Sequence, residues 1–301
     1  MNRCILFFLA ILCLSFVLKR GGSTSFKLLK DGMQPFVIRV VNGITLEELT
    51  FDLKNANKDY HIVYEKDMDN PYLSKLRAGY PVDSIAASAK TDIEKIRKIA
   101  SWVHGLWQHD GMNEPEQNDA LYILGEVEKG RCFRCVEYGI VTTACLNSIG
   151  IKARTLSLKT KDCETRPSGA GHVLLEAYVN DLDKWIMIDP QYDIIPHLFG
   201  LPLNAVEFQD AITKEKPVDV WTTDNIQAGE YIPWIYPYLY YFSVNFDNRE
   251  YKPDGQKTIN GKSALMLVPV GGKNPEIFQK RFPLDYCIYT HSLLNFYANP
   301  Q

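Results

Sequence analysis

Three residue types able to do nucleophilic chemistry stand in the order Cys135, His172, Asp189 within the stretch Gly130 to Pro190. A cysteine thiolate attacks a carbonyl carbon, an imidazole takes and returns the proton, and a carboxylate fixes the imidazole tautomer and stabilises its charged form. Such a set supports acyl transfer through a thioester. Whether the three meet depends on the elements that carry them.

Val136 to Ile149 is apolar most of the way round a helix, with Val136, Ile140 and Ala144 in one row and Val141, Cys145 and Ile149 beside it. That is the pattern of a buried helix, and Gly150 follows as a helix-ending residue. Cys135 therefore falls at the helix N-terminus, where unpaired N–H groups and the macrodipole favour a thiolate. The same residue also suits the bland role of a small apolar side chain opening a core helix. Ile151 to Leu158 reads as a strand leaving this helix, and a polar loop from Lys159 to Gly171 leads to His172. His172 opens the apolar run Val173 to Val179. The turn Asn180 to Asp183 and the strand Lys184 to Ile188 follow, closed by Asp189-Pro190. This is a β-hairpin. Adjacent antiparallel strands place a His at the start of one beside an Asp at the end of the other, and only the Cys–His contact is then left to packing.

These residues resemble the transglutaminase-like superfamily of papain-like cysteine enzymes. The matching pieces are Cys135 opening a helix, Ile149-Gly150-Ile151-Lys152-Ala153-Arg154 ending it, His172 with Glu176 on one strand, and Trp185 with Asp189-Pro190 on the next. The resemblance covers roughly residues 85 to 215. It implies an α+β fold with a papain-like core, helices packed on an antiparallel sheet, and a catalytic triad of Cys135, His172 and Asp189. Two positions depart from the family pattern. Phe133 stands where a Gly usually precedes the cysteine, and Leu174 where an aromatic follows the histidine. Neither removes a catalytic atom, and both are expected to alter the substrate groove.

Cys132 and Cys135 also form a C-x-x-C, which at a helix start can be a redox pair. No βαβ pattern precedes it, so a thioredoxin-like reading is disfavoured. A zinc set with Cys163 and His172 lacks a second close-spaced ligand pair. A reversible Cys132–Cys135 disulfide that silences the nucleophile stays open. Animal transglutaminases use calcium, but no EF-hand-like acidic loop is present. No metal or organic cofactor is expected.

The rest of the chain reads as scaffold. Hydrophobic content of 46% and charged content of 23% are globular values, and a net charge of −3 gives no basic surface for nucleic acid. Residues 1–22 hold Arg3, the apolar run Ile5 to Leu18 and Lys19-Arg20, the pattern of a signal peptide or an N-terminal membrane anchor. Its loss would move the net charge from −3 to −6. Export to a periplasmic or extracellular compartment is expected, and five cysteines remain after residue 22, an odd number. Residues 23–84 are an N-terminal extension with a β-like run, Phe36 to Val41. The core spans 85–215, and a β-rich C-terminal region 216–301. Thr91 and Glu94 form a capping box ahead of the stripe Ile93, Ile96, Ile99, Ala100, Val103, Trp107. Trp102, Trp107 and Gln108 are candidate donors to an oxyanion, with core packing the competing role for each tryptophan. His104 and His109 read as ordinary surface histidines. His197 is a rival base without a carboxylate on an adjoining strand. The aromatic run Tyr231 to Phe246 reads as sheet core, with a groove wall as the alternative.

The expected function is attack by Cys135 on a peptide or protein amide, with hydrolysis favoured over crosslinking. The rival readings are a catalytically silent module that binds peptide or glycan, and a thiol–disulfide protein.

Overall fold

The Thr91 hydroxyl accepts from the Glu94 N–H at 3.2 Å, and the Glu94 carboxylate accepts from the Lys90 N–H at 2.6 Å. The Thr91 cap, with Glu94 reaching one residue further back than a closed capping box would, starts the helix Asp92–His104, whose Ile96, Ile99, Ala100 and Val103 are buried. The computed structural model to which it belongs describes residues 24–28, 36–41, 44–53 and 60–300. Two compact units divide the chain between residues 48 and 49. Residues 1–22, read as a leader or anchor, lie outside the described residues. No helix among the described residues is long and apolar enough to cross a membrane.

The first unit contains an antiparallel sheet of β1 (Thr24–Leu28), β2 (Phe36–Val41) and β3 (Ile44–Leu46) in that order. The second unit is built on a six-stranded sheet. Its strands in chain order are β4 (Ala153–Lys159), β5 (Gly171–Val179), β6 (Lys184–Ile188), then, after the small sheet of β7 (Ile195–Leu198), β8 (Leu201–Pro202) and β9 (Val218–Trp221), β10 (Tyr241–Asn245) and β11 (Ala264–Leu267). A two-stranded ribbon, β12 (Ile277–Phe278) and β13 (Phe282–Pro283), precedes the last strand, β14 (Cys287–Thr290). The spatial order is β14-β11-β10-β4-β5-β6, antiparallel except for the β11–β14 pair. An α+β core of helices on a mostly antiparallel sheet is the fold expected from the sequence.

The expected break at residue 215 does not separate two sheets. β10, from the C-terminal region, pairs directly with β4, Tyr241 opposite Lys159 and Ser243 opposite Ser157. Backbone groups on an interior strand must be paired on both edges, and β4 obtains its second partner from Leu239 and β10, well beyond residue 215. The expected start at residue 85 falls inside the helix Val82–Ala87.

The central helix, Cys135–Ser148, packs on β4 and β5. Its Val141, Ala144 and Cys145 are fully buried against Leu175, Ala177, Ile186 and Ile188 of the sheet. Gly139 sets the spacing. A Cβ there would lie 3.3 Å from the Leu174 carbonyl oxygen and 3.4 Å from Val173 Cγ1, so the helix rides unusually close to β5 one turn below Cys135.

Arg154 and Glu176, both quoted in the family pattern, are a buried ion pair at 2.8 Å. The guanidinium lies 4.1 Å from the Trp185 ring centre and donates to the Phe296 carbonyl at 2.9 Å. The other Glu176 oxygen accepts from Ala205 N and from the Tyr297 hydroxyl. These motif residues bind the chain's last helix, Leu293–Phe296, to the sheet, and their job is structural.

Candidate active site

Cys135 is the first residue of the central helix. Arg134, at the N-cap, has extended backbone, and its N–H donates to the Glu137 carboxylate at 3.0 Å while its guanidinium pairs with Glu137 at 2.9 Å. Glu137 thereby occupies the first turn without leaving its charge uncompensated beside the sulfur. The segment before the helix is pinned to the loop that follows Trp107. Trp107 Nε1 and Asp110 N donate to the Phe133 carbonyl, at 3.3 and 2.9 Å, and Asn113 Nδ2 donates to the Cys132 carbonyl at 2.6 Å.

His172 and Asp189 come from β5 and the end of β6. The register sets Leu175 against Ile188, so the residue after Ile188 lies diagonal to His172 on the same face. His172 Nε2 is 2.8 Å from Asp189 Oδ2. Both side chains are almost wholly buried. Asp189 Oδ2 also accepts from the Tyr231 hydroxyl at 2.8 Å, and Oδ1 accepts from Gln191 N at 3.2 Å. With Nε2 on the carboxylate, Nδ1 is the nitrogen left for Cys135, whose thiol the ring acts on.

The electrostatics of the pair run in opposite directions. Burial pushes the Cys135 thiol up, but hydrogen bonds from His109 and His172, the charge of His172 and the Val173 N–H outweigh it and bring the thiol down to about 6. Burial pushes the His172 imidazolium down, but the charge and hydrogen bond of Asp189, then those of Cys135, hold it up to about 10. Between these values the pair exists as thiolate and imidazolium.

Several neighbours were not legible as site residues. Trp234 meets the His172 ring edge-on at 4.9 Å, and Tyr238 lies 6.0 Å from it. Tyr231 and Trp234 sit on the helix Ala228–Ile235, followed by a 3-10 turn, where the sequence suggested sheet. The spacing of Tyr231, Trp234 and Ile235 on one helical face was the available signal, masked by the aromatic composition and by Pro233 and Pro237. His109 is an exposed loop residue, as read, and from the pinned loop it also acts on the Cys135 thiol. His104 is half-buried, and its Nδ1 lies 3.1 Å from the carbonyls of Pro190 and Gln191, holding the turn after Asp189.

Other expectations need correction. Phe133 and Leu174 do not face a groove: both are fully buried, Phe133 edge-on to Trp107 at 6.4 Å. Trp107 spends its N–H on the Phe133 carbonyl and stacks on Tyr138 at 4.1 Å, so it is not free to serve an oxyanion. Gln108 is exposed, and Trp102 lines a separate cleft with Arg97 and Trp221. His197 stacks on Trp221 at 4.7 Å in the small sheet. The five described cysteines are free, and burial pushes Cys163 and Cys287 each up to about 11. Among the described residues no group of three His, Cys, Asp or Glu side chains is arranged to hold a metal ion.

Residues 82–190 match the family model of the transglutaminase-like superfamily. No curated protein matches the chain. Among solved structures, the chain is similar to a candidate cysteine protease from Cytophaga hutchinsonii, with 14% identity and a TM-score of 0.34 over 69% of this chain and 77% of that one. It is similar to the periplasmic domain of TgpA from Pseudomonas aeruginosa, with 17% identity and a TM-score of 0.33 over 42% of this chain and 47% of that one. Red sea bream transglutaminase is similar at 13% identity and a TM-score of 0.32, over 62% of this chain and 40% of that one. The chain spans less than half the length of the last two. Residues 82–190 form a transglutaminase-like core within the chain.

Proposed function

We propose that this protein is a cysteine-nucleophile enzyme that cleaves amide bonds through a thioester, with Cys135, His172 and Asp189 as a triad. The observation that carries the reading is geometric: Cys135 opens the central helix beside His172, and Asp189 stands 2.8 Å behind the imidazole, an arrangement that draws the thiol down and holds the imidazole up. A nucleophile ionised at neutral pH beside a charged proton donor is what amide attack requires. The Cys135 sulfur bonds to the amide carbon, and the developing oxyanion is met by the Cys135 backbone N–H at the helix start. His172 gives its proton to the leaving nitrogen as the C–N bond breaks. Water then attacks the thioester, losing its proton to His172. The carboxylic acid leaves, and the thiolate–imidazolium pair is restored.

We take water as the acceptor, making the enzyme a peptidase or amidase, and we place it outside the cytoplasm on the pattern of Arg3, Ile5 to Leu18 and Lys19-Arg20. The test is a panel of peptide amides and glutamine analogues, read by released amine, with and without an added primary amine. Turnover lost in Cys135→Ala supports the reading, and capture of the added amine would replace hydrolysis by crosslinking. No turnover of any member, together with no selective alkylation of Cys135, overturns it. Unchanged ligand affinity in Cys135→Ala would instead favour a binding module.

A further inference from the structure

Lys159 is a buried charge that the proposed reaction leaves unused. Its side chain is 3% exposed, and Nζ donates to Ser157 Oγ at 3.0 Å and Ser243 Oγ at 3.2 Å. The Phe278 ring lies 5.7 Å from Nζ. Among the described residues no carboxylate pairs with it. An ammonium taken out of water without a counter-ion is expensive. Burial accordingly pushes Lys159 down, and the groups near enough to favour its charge are the thiols of Cys287 and Cys163, themselves held in their neutral form.

Both serines open onto a groove of about 480 Å³. Val136 and Val173 form part of its wall, and these residues directly follow Cys135 and His172. The groove floor is the middle of the six-stranded sheet. Along β4, Leu156 and Leu158 are fully buried on one face, while Thr155 and Ser157 are half-exposed on the other. An interior strand whose face was closed by packing would carry apolar side chains there. Hydroxyls in that place leave the floor open to a polar ligand.

The direction of the hydrogen bonds defines the ligand. Lys159 donates to both oxygens, so the Ser157 proton is left to donate, while the Ser243 hydroxyl donates to the Ser157 carbonyl at 3.4 Å. That bond is long for an O–H donor, so an incoming acceptor can compete for the Ser243 proton. Two hydroxyl donors backed by one positive charge fit the two oxygens of a carboxylate. The far wall is of mixed charge, with Arg249 and Lys252 beside two acids. Asp247 is there, held by Arg249 at 2.8 and 2.9 Å, and so is Glu250, whose carboxyl burial pushes up to about 7.

We propose that Ser157 and Ser243, with Lys159 behind them, form a carboxylate subsite, and that the amide substrate carries a carboxylate on the arm that passes Val136 and Val173. The proposal rests on Cys135 being the nucleophile.

Alkylating probes test it without a known substrate. N-Iodoacetyl derivatives of glycine, β-alanine and 4-aminobutyrate carry a carboxylate at graded reach, and their carboxamides are neutral controls. The full chain and Lys159→Met are labelled in parallel, and the rate at Cys135 is read by peptide mapping. For at least one arm length the carboxylate should outpace its carboxamide, and Lys159→Met should cut that ratio tenfold or more while the carboxamide rate holds. The His172 charge favours an anionic probe equally in both proteins, so the change in ratio isolates Lys159. The double variant Ser157→Ala, Ser243→Ala should reproduce the loss with the lysine in place, and it stands in for Lys159→Met should that variant fail to fold. A ratio unchanged by both variants overturns the subsite and leaves the nucleophile standing. Failure of plain iodoacetamide to label Cys135 overturns both.

Discussion

Tyr231→Phe is the sharpest perturbation of the proposed triad, because it removes one oxygen and no charge. The Tyr231 hydroxyl donates to Asp189 Oδ2 at 2.8 Å, the same oxygen that His172 Nε2 meets at 2.8 Å, and all three groups are buried. Burial pushes the phenol well above its usual range, so it remains a donor at every working pH. A hydrogen bond to a charged group contributes about 1.5–3 kcal/mol. If it is needed in full to hold Asp189 under the imidazolium in the transition state, its loss lowers kcat about 10- to 150-fold. KM should barely move, since the buried hydroxyl does not touch substrate. The pH midpoint for alkylation of Cys135 should stay near about 6, because the partners that share the proton, Cys135 and His172, are intact. Steady-state kinetics on an amide substrate and iodoacetamide rates against pH read both halves. A folded variant with kcat within twofold of the parent would refute the reasoning, as would a midpoint risen to that of an ordinary thiol.

Three further outcomes are expected. Cys135→Ala and His172→Ala should each abolish turnover, and the double variant should be little worse than either, as for residues acting as one unit. Alkylation of Cys135 should be fast from about pH 6 upward and fall as the thiolate is protonated below it, and His109→Phe should move that midpoint up, since the His109 hydrogen bond is the largest contribution lowering the thiol. Arg154→Met should destabilise the protein by about 3–5 kcal/mol by leaving Glu176 buried and unpaired, with Arg154→Met, Glu176→Gln recovering part of the loss in thermal denaturation.

The parts of this site that are local in sequence were legible there. The apolar ring of Val136 to Ile149 announced a buried helix with Cys135 at its start, and β6 was read to the residue. The hairpin arithmetic brought His172 to Asp189. What sequence did not reveal are contacts made by distant segments. Tyr231 reaches Asp189 from 42 positions away, and nothing in its own neighbourhood points to a carboxylate. His109 sits in a polar loop, and only the pinning of that loop to Phe133 brings it to the sulfur. Phe133 and Leu174 were judged by comparison with a motif, yet both turn into the core, where apolar side chains have more to gain.

The pairing of β10 with β4 has a consequence for the order of folding. While the chain is being made, β4 and β5 are finished long before Tyr241 exists to lie against Lys159. At about 5–20 residues per second, the intervening stretch of about 80 residues takes about 4–16 s to appear. During that interval the outer edge of β4 is bare, its N–H and C=O groups offered to any strand that passes. One face of this strand carries Thr155, Ser157 and Lys159, and the other Leu156 and Leu158. A lysine on an unpaired edge is a recognised deterrent to strand addition. Until β10 arrives, the residue that later stands behind the serines guards the newborn strand against pairing with a neighbouring chain.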